Sequence, residues 1–214
     1  MIGAVARTTG WLALPEAHAR LRPPPSLDFG SAEELLRLEQ ALLEEDFRRY
    51  ARAREHARSG ATVLADTGFL GPLTYTAGLV TLGRAPARVL DSLVASARSV
   101  GGRGAWGFAD AYIYLETAAA VRSRRTLADP GAHPAGLAAR HEQVGELEQE
   151  WYRTAFAPRF GGRFRWVRGD DPVSDVAEQV IAAVGAFAAV PPTPPSIDSV
   201  LALFEGGAPR RGNR

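Results

Sequence analysis

Cysteine and lysine are both missing from the 214 residues of this chain. The absence of cysteine excludes disulfides, thiolate metal sites and a cysteine nucleophile, and it is compatible with the cytoplasm. All 25 basic residues are therefore arginine, and against 24 acidic residues they leave a net charge of +1. A balance this close to neutral gives no general attraction to nucleic acid or to an anionic membrane, so any anion-binding site has to be local.

Long apolar runs are absent as well. No stretch reaches the roughly 18 to 20 apolar residues that cross a bilayer, and residues 1–17 lack the basic and then apolar pattern of a signal peptide. We therefore predict a cytoplasmic protein without membrane or nucleic-acid partners. With 46% hydrophobic and 23% charged residues, the composition is typical of a folded protein, and the length fits one domain.

Four short apolar runs predict strands, at residues 11–14, 61–66, 111–116 and 164–167. Helical patterns lie between them. The clearest begins at Ser31, which is followed by Glu33 and Glu34, and continues to Ser59. Because parallel strands need crossover helices and bury both faces, this alternation predicts an α/β fold: a parallel sheet with helices on both faces.

The C-terminal part of the chain differs in composition. Residues 1–189 are predicted to form the domain, and residues 190–195 are rich in proline and indicate a stiff linker. A short helix over residues 196–204 and a flexible basic tail are expected to follow. We therefore place a boundary at residue 189, with 190–214 outside the main domain.

Polar side chains follow each predicted strand. Glu16 comes after the first, Asp66 after the second, Glu116 and a group of arginines after the third, and Asp170 and Asp171 after the fourth. In open parallel sheets, ligands bind at the carboxyl ends of the strands. These residues are therefore the candidates for a functional site.

The order of these parts resembles the nucleoside and nucleotide kinases of the P-loop superfamily, including the thymidylate-kinase-like and nicotinamide-riboside-kinase-like proteins. The resemblance covers residues 1–189. It is carried by a helix, a strand ending in Pro-Glu, a long helix, a strand ending in an acidic motif, an arginine-rich segment and a closing strand and helix: IGAVARTTG, WLALPEA, SAEELLRLEQALLEEDFRRYARAREHARSG, ATVLADTGFLGPLTY, ADAYIYLETAAAVRSRR and FRWVRGDDPVSDVAEQVIAAV.

The resemblance implies ATP-dependent phosphoryl transfer to a small hydroxylated acceptor, with Mg²⁺. It implies that Asp66 faces the magnesium ion or the acceptor hydroxyl, and that Glu16 contacts the acceptor. Arginine suits phosphate through its bidentate fork. A lid over the phosphates is therefore expected from the arginines that follow the third strand and the next loop, with Arg122 and Arg125 in catalysis and Arg124 and Arg140 in nucleotide binding.

The chain departs from this pattern where the phosphate loop should be. No GxxxxGK[ST] occurs, and without any lysine no altered version of the loop can supply one. We expect the loop and a preceding strand to belong directly before Ile2, in a longer protein, and the chain as given to be inactive. Loss of that strand would leave a central gap in the sheet. The pair Asp66-Thr67 also departs from the Asp-Arg or Glu-Arg pair of many deoxynucleoside and thymidylate kinases. The resemblance therefore does not identify the phosphate acceptor.

Other interpretations remain. The chain could be a non-catalytic remnant that binds a nucleotide or serves as an interaction module, or an AAA-type regulatory ATPase domain. Asp66 could simply cap a turn, and the arginines could form an ordinary solvated helix face. The predicted partners are the phosphate acceptor and, as an alternative we consider, a second copy of the chain in a homodimer.

Overall fold

The computed structural model describes residues 1–22, 29–104, 106–128, 135–191 and 195–205, without the side chains of residues 123, 125–128 and 135–138. Helices and strands alternate along them: α1 (Ile2–Thr9), β1 (Leu12–Leu14), α2 (Ala32–Arg58), β2 (Val63–Ala65), α3 (Gly71–Thr81), α4 (Ala87–Gly102), β3 (Tyr112–Glu116), α5 (Ala119–Ala128), α6 (Ala135–Trp151), α7 (Ala157–Phe160), β4 (Phe164–Arg168), α8 (Val173–Phe187) and α9 (Ile197–Leu201). A π-helical turn, Tyr152–Phe156, joins α6 to α7.

Local sequence signals set the helix ends near β1 and β2. Ser31 caps α2, because its hydroxyl accepts a hydrogen bond of 3.1 Å from the N–H of Glu34. The Glu34 carboxylate in turn accepts one of 2.7 Å from the N–H of Gly30. At the end of α1, Gly10 adopts the left-handed conformation with φ of 74° and donates to the carbonyl of Ala6. The predicted start of α2 is therefore confirmed.

All four predicted strands are present, and they pair in parallel as two separate two-stranded sheets. In the first sheet Leu12 is opposite Val63 and Leu14 is opposite Ala65. In the second, Tyr112 is opposite Phe164 and the two strands stay in register to their last residues. No hydrogen bond between β2 and β3 joins the two sheets within the described ranges.

The two sheets nevertheless lie in one layer. Leu64 of β2 and Ile113 of β3 both pack on a small core formed with α1, β4 and α8. Their neighbours Ala65 and Tyr114 both pack on the opposite side, against the main core of α2, α3, α4 and α6. Because successive side chains of a strand point to opposite faces, both strands separate the same two cores. The predicted α/β class, with helices on both faces of parallel strands, is confirmed.

The short C-terminal helix is part of the main core. Val200, Leu201 and Phe204, in α9 and the turn after it, are completely buried and pack in the same cluster as Phe156. This helix therefore belongs to the folded domain, beyond the boundary that composition placed at residue 189. The predicted tail lies mostly outside the described residues.

In the described part of the chain, no helix combines the length and the apolar character that a membrane span requires.

Candidate functional site

The carboxyl ends of the four strands lie along one edge of the layer that the two sheets form. Leu14 and Ala65 end level with each other in the first sheet, and Glu116 and Arg168 do so in the second. The residues that follow them are therefore brought to the same edge of the layer. This is the edge at which open parallel sheets bind ligands.

Thr67 links the two acids of the first sheet. Its hydroxyl donates a 3.4 Å hydrogen bond to a carboxylate oxygen of Glu16, while its neighbour Asp66 directly follows β2. Thr67 has a φ of 50°, a conformation that a β-branched residue rarely adopts and that is often retained at functional sites. Both carboxylates are exposed. The structure thus brings Glu16 and Asp66 together, and their roles stay predictions.

A buried arginine on α2 holds this turn from inside. One guanidinium nitrogen of Arg49 donates to the backbone carbonyl of Asp66, and another donates to the carboxylate of Asp46. Both Arg49 and Asp46 are 1% exposed, and the guanidinium lies 5.6 Å from the centroid of the Phe69 ring. Burial raises the pKa of Asp46 to about 7 even though Arg49 opposes this shift. The sequence pattern did not predict this buried ion pair between Asp46 and Arg49.

The second sheet carries a mixed-charge pocket at the same edge. Glu116 accepts a 2.7 Å hydrogen bond from the amide of Gln149 and a further one from Arg153. Arg122 donates to the carbonyl of Thr117. A pocket of about 400 Å³ is lined by Glu116, Thr117, Arg122 and Gln149, together with Arg168 and Asp170.

The other predicted arginines are placed differently. Arg124 is exposed on α5, and the side chain of Arg125 lies outside the described residues. Arg140 on α6 stacks its guanidinium 4.7 Å from the centroid of the Phe29 ring. Arg122 donates to the carbonyl of Thr117 at the end of β3, on a different element from Arg140. Their predicted roles in a lid stay predictions.

A cavity of about 850 Å³ lies between the two sheets. β2 and β3 form its walls, and Met1 and Ile2 at the start of α1 also border it. Glu148 of α6 reaches the cavity and accepts a 2.5 Å hydrogen bond from the Thr74 hydroxyl. Desolvation by burial raises the pKa of Glu148 to about 7. No motif marks Glu148 in the sequence, where it lies in an ordinary polar stretch of a helix.

Among the side chains that the structure describes, no group of three or more histidines and acids could hold a metal ion. Magnesium in phosphoryl-transfer sites is commonly held by only one or two carboxylates together with substrate phosphates. Asp66 alone therefore fits a magnesium site only if phosphates complete the ligand set.

Comparison with known proteins rests on structure. No protein-family model matches the sequence, and no characterised protein matches it by sequence. The fold is similar to that of deoxyadenosine kinase from M. mycoides, whose structure was determined with bound dATP. The TM-score is 0.57 with 12% sequence identity, and the match covers 86% of this chain and 91% of the kinase. At this level of identity the likeness shows a similar α/β fold and nothing about function.

Proposed function

We propose that this fold carries out phosphoryl transfer from ATP to a nucleoside, a nucleotide or a similar small hydroxylated acceptor. The observation that carries the proposal is the strand-end edge, where Glu16 and Asp66 lie on one sheet and Arg122 on the other. The similarity of the fold to a deoxyadenosine kinase supports it.

The acceptor side is the first sheet. Phosphoryl transfer needs an acidic group that orients the attacking hydroxyl, and Asp66 and Glu16 offer exposed carboxylates that can accept a hydrogen bond from one. Arg49 fixes the backbone at Asp66, so the carboxylate is attached to a rigid turn. In this proposal Asp66 orients the hydroxyl or meets the magnesium ion, and Glu16 binds another part of the acceptor.

The phosphate side is incomplete. ATP would supply the transferred phosphoryl group, and arginines near the second sheet could neutralise its charge. However, the chain has no lysine and no GxxxxGK[ST], so its residues do not fit the phosphate cradle of a P-loop enzyme. We therefore propose that these 214 residues are inactive alone and that the loop is supplied by a segment preceding Met1.

A second candidate follows from the same missing loop. A domain without a phosphate cradle could persist as a non-catalytic module that interacts with a partner. The regulatory ATPase alternative shares the need for the loop and differs from the kinase in having no acceptor. Binding and transfer measurements separate the three.

The first test is ATP binding. Magnesium-dependent thermal stabilisation by ATP is measured on the 214-residue chain and on the same chain extended upstream through the expected loop. We expect stabilisation of the extended chain only. Stabilisation of neither chain would contradict the kinase proposal and favour the non-catalytic module.

The second test is transfer from labelled ATP to a panel of nucleosides and nucleotides by the extended chain. Asp66→Asn should lower the rate about 100-fold, as expected for loss of a group that orients a proton. Asp91→Asn is the matched control, because Asp91 is an exposed acid on α4 away from the strand ends. Unaltered transfer by Asp66→Asn would rule out the proposed role of Asp66, and ATP hydrolysis without transfer would favour the ATPase.

A further inference from the structure

Helix α6 packs closely against α3. A Cβ added at Gly78 of α3 would lie 2.8 Å from the side chain of Val144 on α6, so a larger residue there would push the helices apart. One turn further along both helices, the Thr74 hydroxyl donates its hydrogen bond to the carboxyl group of Glu148. Glu148 is therefore an acid placed inside a close helix–helix interface.

No cation pairs with Glu148 in the part of the chain that the structure describes. Its hydrogen bond comes from a neutral hydroxyl. The titratable groups that face it come from α2, α3, β3 and the π-helical turn after α6, and they are Glu39, Tyr75, Tyr114 and Tyr152. All of these are acidic or neutral, while Arg140 of α6 itself faces Tyr75. The surroundings of Glu148 therefore oppose a negative charge.

Glu39 is a second buried acid in the same region. It is 2% exposed, and its pKa is raised well above the ordinary value by burial and then by repulsion from Glu148 and Asp46. Burial raises the pKa of Glu148 to about 7. Both acids are neutral when the pH is low. Ionisation of Glu148 then places a charge without a counter-ion between α6 and α3.

Glu148 and its neighbour Gln149 contact different parts of the fold. Successive residues of a helix point about 100° apart, and Gln149 donates a 2.7 Å hydrogen bond to Glu116 at the end of β3. Arg153, in the π-helical turn that continues α6, also donates to Glu116. π-Helical turns are frequent at functional sites. Docking of α6 on α3 therefore also positions the groups that hold the Glu116 carboxylate.

We propose that Glu148 is a pH switch for α6: loss of its proton to solvent separates α6 from α3 and releases the Glu116 carboxylate. At low pH the neutral acid keeps α6 docked, and Gln149 and Arg153 hold Glu116. As the pH rises, Glu116 becomes available at the pocket that Arg122 also lines. As regulation of this edge the inference rests on the proposed function, but the switch itself requires no nucleotide.

The size of the effect follows from the two states of α6. The pKa of Glu148 is about 7 in the docked helix, and its ordinary value of 4.5 applies when the helix is released. Between these pH values each pH unit raises the released fraction about tenfold, up to about 300-fold in total. Below this range the acid is protonated in both states, and above it the acid is ionised in both. The change is therefore confined to this range.

The test is amide hydrogen exchange, measured by NMR on the 214-residue chain at the two ends of this pH range. Protection factors, in which the intrinsic pH dependence of exchange cancels, are compared between residues 142–150 of α6 and residues 90–97 of α4. Glu148→Gln keeps a hydrogen-bonding side chain without a titrating group. Glu146→Gln is the matched control, because Glu146 is an exposed acid on the same helix. The side-chain amide of Gln149 reports its bond to Glu116.

We expect the protection of α6 to fall about 100-fold from the acidic to the neutral end of the range, both in the unsubstituted chain and in Glu146→Gln. It should change little in Glu148→Gln. At neutral pH α6 should be less protected than α4, because the release is local. The side-chain amide protons of Gln149 should exchange faster over the same range.

The proposal is overturned if α6 at neutral pH is as protected as α4, since the helix would then leave only when the whole domain unfolds. It is also overturned if Glu148→Gln keeps the original pH dependence, or if the Gln149 side-chain amide stays protected while α6 is released. If Glu148→Gln does not fold, the comparison of α6 with α4 in the unsubstituted chain still decides. These measurements use neither ATP nor an acceptor, so failure of phosphoryl transfer leaves them unchanged.

Discussion

Arg49→Met removes the buried cation that ties α2 to the turn after β2. The substitution leaves Asp46 without its partner in a site that is 1% exposed, and it leaves the carbonyl of Asp66 without its donor. Breaking a buried ion pair by removing one partner costs about 3–5 kcal/mol. We expect the free energy of unfolding to fall by this amount, which is a large part of the total for a domain of this size.

A double-mutant cycle separates the ion pair from simple loss of packing. Asp46→Leu alone should also destabilise the fold, because Arg49 then remains buried as an uncompensated charge. In the double variant both charges are gone and two apolar side chains of similar bulk replace them, so most of the loss should be recovered. The assay is urea unfolding followed by tryptophan fluorescence, with Trp106, which is 1% exposed, as a reporter.

The outcome that refutes this reasoning is additivity. If the double variant loses as much stability as the two single variants together, Arg49 and Asp46 do not stabilise each other. The carbonyl of Asp66 would then be the more important partner of Arg49. Amide exchange at residues 67–69 would report this directly, because loss of that bond should speed exchange in the turn more than elsewhere.

Three further predictions test the packing around the site. The pKa of Glu148 is raised from 4.5 to about 7, so between these pH values the folded state holds a proton that the unfolded chain has lost. The free energy of unfolding should therefore fall by up to about 3 kcal/mol as the pH rises from 4.5 to 7. Glu148→Gln should flatten this pH dependence, and the control Glu146→Gln should not. Phe204→Ala should cost about 3–5 kcal/mol in denaturant unfolding, because the side chain is fully buried; a cost under 1 kcal/mol would mean that the C-terminal helix is not part of the core. Gly169→Ala should destabilise the fold by about 1–3 kcal/mol, because a Cβ at this position would overlap the side chain of Thr117, which follows β3. As a control, Gly145→Ala in α6 should raise the melting temperature, because a Cβ there would meet open space.

The strands and the start of α2 could be predicted because their signals are local. Each strand is a short apolar run followed by a polar residue, and Ser31 with Glu34 forms a capping arrangement that four residues of sequence specify. The edge that carries Glu16 and Asp66 followed from the same signals, since parallel strands bring their carboxyl ends together. The exact strand lengths did not follow, because pairing partners decide where a ladder stops.

Long-range features could not be predicted in this way. α2 buries Glu39, Asp46 and Arg49 to 2% exposure or less, yet in the sequence these residues look like an ordinary charged helix surface. Composition shows which residues carry charge and does not show which partner neutralises it. For the same reason the proline-rich stretch predicted a linker, although Phe204 beyond it is fully buried; only the tertiary structure shows that the core has room for that helix.

The cavity between the two sheets and the strand-end groups depend on each other. Ala65 lines one side of the cavity and is followed by Asp66, and Leu115 lines the other side and is followed by Glu116, which borders the pocket that Arg122 also lines. The width of the cavity therefore sets the distance between the acids of the first sheet and the arginine of the second. Positioning of reacting groups is sensitive to about 1 Å, and among the described residues β2 and β3 are not paired with each other. In the proposed reaction, the spacing of the two sheets would therefore decide whether Asp66 and Arg122 can act on the same phosphoryl group.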